Sequence, residues 1–149
     1  MNKWNRGLLA GLAATVVLSV LMVIKSALGL MPAVNAIAWL AKIAGDFGLP
    51  SNPVMGWIAH GVIGVVLWGL VFAGTYDSWP GTPPIKGAVF SIMAWLLMMS
   101  MVLPMAGAGF FAVAIGLSAT VVTLVLHVVF GLVLGAVFGQ RRLAEYVPA

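Results

Sequence analysis

Cysteine is absent from this 149-residue chain, and acid is almost absent. Without cysteine there are no disulfides, no thiolate metal sites and no cysteine nucleophiles. The only acids are Asp46, Asp77 and Glu145, all outside the long apolar runs, so no buried carboxylate pair exists for acid–base work. Also missing are a phosphate-binding glycine loop with lysine, an HExxH and a Gly-x-Ser-x-Gly. Catalysis by this chain alone is not expected. Charged residues make up 7% of the chain, against about 25% in a soluble domain. With 63% hydrophobic residues and a mean hydropathy of +1.17, the chain has too little polar surface to face water. Lipid is its natural solvent, and the expectation is a single transmembrane domain over residues 1–149.

The net charge of +4 comes from scattered residues. Lys3, Arg6, Lys86, Arg141 and Arg142 flank apolar runs, while Lys25 and Lys42 stand alone. No basic face alternates with aromatics, as a nucleic-acid surface requires, so nucleic acid is not an expected partner. Charges placed in this way orient membrane helices.

A spanning helix needs roughly 20 mostly apolar residues. Four segments qualify: about Gly7 to Ser26, Val54 to Gly74, Gly87 to Leu103 and Gly116 to Gly139. The first competes with a signal peptide, but it is long for one. The proline-rich stretch Thr75 to Lys86 reads as a polar turn, and Pro104 to Gly109 as a short turn. Between the first two spans, Pro32 to Asp46 places Val34, Ile37, Ala41 and Ala44 at helical spacing. That suggests a short interfacial helix, with an irregular loop as the alternative. Basic residues split five to two between the ends, which predicts both termini in the cytoplasm and an inner-membrane location.

The two halves, about 7–76 and 87–139, resemble one another. Arg6-Gly7 opens the first span and Lys86-Gly87 the third, each followed by a small residue four positions on, Gly11 and Ser91. HGVIGVVL in the second span matches HVVFGLVL in the fourth at His, Val, Gly, Val and Leu. The expected fold is therefore an all-α membrane protein of four transmembrane helices. They form two helical hairpins in a pseudo-two-fold repeat, with the halves inserted in the same sense. That symmetry puts His60 and His127 at equal depth, roughly 21–23 Å from the cytoplasmic end at about 1.5 Å per residue.

An intramembrane histidine is a functional hypothesis by default. Gly116, Thr120, Thr123, His127, Gly131 and Gly135 fall on one helix face, and Gly56, His60 and Gly64 form a shorter version. Three readings remain open. Each imidazole bonds a neighbour, Thr123 being well placed for His127. Or His60 and His127 are axial ligands of a b-type haem, with Gly64 and Gly131 giving close approach to a flat macrocycle. Or they form a proton or ion relay. Met98, Met99, Met101 and Met105 form a further cluster. The Met101/Met105 spacing fits a Cu(I) site, although methionine is also an adaptable apolar filler.

The segments RGLLAG, WIAHGVIG, KGAVFSIMAWLLMM, PMAGAGFF and LVLHVVFGLVLG resemble those of an uncharacterised family of small four-helix bacterial integral membrane proteins. The resemblance covers most of the chain. It implies the four-span architecture and no activity, substrate or ligand. The leading functional expectation is a non-catalytic accessory or structural component of a membrane assembly, packing with itself or within a larger complex in the lipid bilayer. A bis-histidine haem-binding electron carrier is the alternative. A small transporter or channel is the third, with few hydroxyl residues to line its path.

Overall fold

In the computed structural model, the described residues are 1–143 for the backbone and 1–140 for the side chains. The side chains of Arg141 and Arg142, and all of Glu145, lie outside them. The described residues form helices joined by turns: α1 (Lys3–Ala27), α2 (Ala36–Asp46), α3 (Pro53–Ser78), α4 (Pro83–Met105) and α5 (Leu117–Leu143). All except α2 are long and apolar enough to cross a membrane.

Asparagine starts three of the helices. The side chains of Asn2, Asn35 and Asn52 accept from the backbone N–H of Asn5, Ala38 and Met55 at 2.9–3.0 Å. Each satisfies a donor that the first helical turn leaves orphaned. Prolines also start helices rather than end them. Pro53 and Pro83 occupy first-turn positions of α3 and α4, where the missing N–H costs nothing. The expected polar turn over Thr75 to Lys86 therefore shrinks to Trp79–Thr82, with helix on either side. At the end of α1, the Lys25 ammonium donates to the carbonyls of Leu30, Met31 and Val34 at 2.8–3.1 Å. It closes the turn that leads into α2.

Two other boundaries differ from the sequence reading. Gly116 belongs to the connection before α5, with φ of 113°. That backbone is outside the helical range and open chiefly to glycine. Pro104 lies in the last turn of α4. The connection runs from Ala106 to Gly116 and includes a 3₁₀ turn at Phe110–Ala112. Phe111 and Ala112 have positive φ there, an arrangement composition does not announce.

Small residues set the packing. α1 lies against α3, with Gly7 facing Gly69 and Gly11 facing Gly64 and Val65. A methyl group on Gly11 would stand 2.8 Å from the Val65 carbonyl and 2.9 Å from that of Gly64. α4 lies against α5 in the same way, through Gly87, Ser91, Gly131 and Gly135. Backbones this close gain dispersion contacts, which drive association where no hydrophobic effect operates between helices. α1 also packs on α5, while α3 and α4 meet through rings, Trp68–Phe90 and Phe72–Phe90. Leu12, Val16, Val20 and Val23 on α1 point outward at four-residue or similar spacing. That face is apolar and suited to lipid.

One end of the bundle is an aromatic core of Phe72, Tyr76, Phe90, Phe130 and Phe138. Arg6 lies over the Phe138 ring, and Lys86 donates to the Tyr76 and Trp79 carbonyls. The other end is closed by α2, which buries Ile37, Ala41 and Ala44 and rests on α3 where Gly56 meets Ile37. The expected short helix between the first two spans is thus formed. It starts at Ala36, after Val34 has entered a second core with Trp95, Met99 and Leu103. Two π-helical stretches, Val62–Trp68 in α3 and Met98–Val102 in α4, were not expected from periodicity. Such wide turns mark functional positions in many helices.

Candidate functional site

Between the aromatic core and α2, the bundle forms a partly open cavity of about 1160 Å³, lined mainly by apolar side chains from all five helices. Its position follows from the packing. α3 and α4 touch through rings near one end and part beyond it, α1 and α5 form the wall, and α2 closes the far side. Both π-helical stretches border it, with Ile63, Gly64 and Trp68 from one and Met98, Met101 and Val102 from the other.

His60 and His127 both line this cavity, so the structure brings together the two polar residues that stand out in the sequence. Their settings differ. His127 Nδ1 lies 2.8 Å from the backbone carbonyl of Thr123, one turn earlier. A carbonyl only accepts, so the proton sits on Nδ1 and Nε2 carries a lone pair. His60 uses Nε2, which lies 3.1 Å from the Ser19 hydroxyl on α1. Its ring also stands edge-on to Trp57, with centroids 5.7 Å apart.

Thr123, the neighbour expected to serve His127, does so through its carbonyl. The hydroxyl donates to the Ala119 carbonyl at 2.8 Å and accepts from Trp95 Nε1 at 3.2 Å. Trp95 thereby ties α4 to the turn that holds His127. Trp95 and Ser19 are the two residues of this arrangement not singled out in advance. Ser19 was findable, since Gly7, Gly11, Thr15 and Ser19 follow one another at four-residue spacing. Trp95 follows Gly87 and Ser91 in the same rhythm, but a tryptophan does not read as a seam residue.

Gly64 and Gly131 serve the helix seams. A methyl group on Gly64 would overlap the Thr15 side chain, and one on Gly131 would overlap Gly87 and the Ser91 hydroxyl. Gly64 also touches the cavity wall. Met101 and Met105 border the cavity and are about half exposed, while Met99 turns into the second core. The π-helical stretch separates these directions. Among the described residues, no three His, Cys, Asp or Glu side chains converge on one point.

No curated protein and no solved structure matches the chain. A family model does match, over residues 1–145, nearly the full length that carries the spans, the cavity and both histidines. The chain belongs to that family, a family of unknown function, DUF6789.

Proposed function

We propose that this chain is a non-catalytic, multi-pass inner-membrane protein that holds a large apolar molecule in the cavity between α3 and α4. The cavity carries this reading. An apolar space of about 1160 Å³ matches or exceeds the roughly 300–1,000 Å³ of ordinary ligand pockets. Holding fits better than conduction because the hydroxyls are spent elsewhere. Ser91, Ser100, Thr120 and Thr123 bond backbone carbonyls, and Thr15 lies in the α1–α3 seam. They offer no continuous polar path.

The duplicated architecture belongs to the same reading. Gly11 and Ser91 occupy equivalent positions of the two halves, as do Gly64 and Gly131. Gly11 touches Gly64, and Ser91 touches Gly131. Both termini are assigned to the cytoplasmic side, and the outward apolar face of α1 suits lipid or a larger membrane assembly. The test is to extract the protein with its surrounding bilayer and identify retained molecules by mass spectrometry. Wild type should enrich one apolar species over bulk lipid. A variant filling the cavity, Ile63→Trp with Leu126→Trp, should lose it while keeping its helical circular dichroism. Identical lipid profiles for the two proteins would overturn the proposal.

A further inference from the structure

We infer that the molecule held in this cavity is a metallated tetrapyrrole, with His127 as its axial ligand and His60 as a hydrogen-bonding group rather than a second ligand; this rests on the cavity reading above. The inference starts from His127. A histidine that ligates a metal almost always donates its other ring N–H to a carbonyl or carboxylate, which fixes the tautomer and aims the free nitrogen. His127 has that arrangement without any metal: Nδ1–H is given to the Thr123 carbonyl. Thr123 is itself buried and tied to α4 by Trp95. Nε2 is left as a lone pair on a residue that lines the cavity. A cavity offering a lone pair from a rigid imidazole suits a Lewis-acidic partner.

The number of protein ligands selects the kind of metal centre. Among the described residues, no three His, Cys, Asp or Glu converge. An ion that needs three such ligands would not find them here. A macrocycle brings four nitrogens of its own and needs one imidazole, as haem proteins show. The apolar volume accommodates its flat body, and Trp39, Trp57 and Trp68 are among the residues that line it. His60 is not preset in the same way, because its Nε2 meets the Ser19 hydroxyl, which can donate or accept and so fixes neither tautomer. The site is therefore asymmetric despite the matching sequence strings.

The test uses the full-length protein in detergent, titrated with iron protoporphyrin IX and with metal-free protoporphyrin IX. Wild type should bind the iron compound one to one, at least tenfold tighter than the metal-free compound. His127→Gly should remove that preference, and added imidazole should restore the iron-bound absorption spectrum, which also shows that the variant folds. His127→Gln provides a second variant that imidazole does not rescue. His60→Ala should still bind with the same stoichiometry. Three results would overturn the inference: equal affinity for the two compounds, iron binding unchanged in His127→Gly, or equal dependence on both histidines with a six-coordinate bis-imidazole spectrum. If neither compound binds but an apolar species still co-purifies from native membranes, the tetrapyrrole assignment fails and the cavity reading stands. Loss of both removes both.

Discussion

Thr15 turns its hydroxyl into the seam between α1 and α3, where Gly64 has no side chain to meet it. The oxygen is buried and has no hydrogen-bond partner, a condition that costs about 1–3 kcal/mol in protein mutational data. Thr15 and Gly64 should therefore behave as a pair. Gly64→Ala drives its methyl into the Thr15 side chain and should cost about 1–3 kcal/mol, the usual range for overpacking. Thr15→Ala should be neutral or stabilising, and the double variant should recover most of the loss. Denaturant titration in mixed micelles measures this, and a double variant as weak as Gly64→Ala alone would show that the contact does not limit stability. A second pair is Trp95 with Thr123. A double-mutant cycle using Trp95→Phe and Thr123→Val should give a coupling near the roughly 0.6 kcal/mol average, and below about 1.7 kcal/mol, found for hydrogen bonds between membrane helices. Zero coupling would mean that the 3.2 Å contact contributes nothing net. His60 and His127 are legible in the sequence because a histidine is rare in an apolar run. Their partners are less so, since a serine or a backbone carbonyl at the correct height is set by how helices dock.

Helices show a sharper divide between what local pattern determines and what docking determines. The four long elements are legible because length and hydropathy alone decide whether a helix can span lipid. The small-residue face of α5 is legible too. Thr123, Gly131 and Gly135 are buried, and Gly116 drops out only because its positive φ places it before the helix. The π-helical stretches are not legible. An i→i+5 turn inserts a residue into the face without changing composition, so Val62–Trp68 and Met98–Val102 read as ordinary helix. The same widening sends Met99 into a core and Met101 toward the cavity, a split that Met-x-x-x-Met spacing does not foretell. The α4–α5 seam makes a direct prediction. Gly131→Leu meets the Gly87 backbone and Ser91, neither of which can move without separating the helices. Val129→Leu enlarges a half-buried residue off that face. The first should lower stability by about 1–3 kcal/mol and the second by much less. Equal midpoints for the two variants would remove the case for close backbone contact.

For the whole molecule, the distribution of charge links fold to membrane. Arg6 and Lys86 come to the end that holds the aromatic core, while Lys25 and Lys42 lie at the α2 end. Lys25 is absorbed by three backbone carbonyls, and Lys42 forms an exposed ion pair with Asp46 at 2.9 Å. Lys3 is exposed, and Lys86 lies at the N-terminal turn of α4. Among the described residues, Lys3, Arg6 and Lys86 lie at the aromatic end against Lys25 and Lys42 at the α2 end, and an excess of Lys and Arg is the pattern that retains an end in the cytoplasm. On the orientation proposed above, the cavity and both histidines belong to the half of the bilayer nearer the α2 side, and the proposed apolar ligand is expected to enter from the outer leaflet. The absence of cysteine makes this directly measurable, because each introduced thiol is unique. Ser51 lies just before α3 and Ser78 is its last residue, both exposed, and α3 at 26 residues reaches about 39 Å at 1.5 Å per residue, more than the roughly 30 Å hydrocarbon core. Ser51→Cys should react with a membrane-impermeant maleimide in intact cells, whereas Ser78→Cys should react only after the membrane is opened. The reverse labelling would invert the molecule, place the histidine cavity toward the cytoplasm and assign its ligand to the inner leaflet.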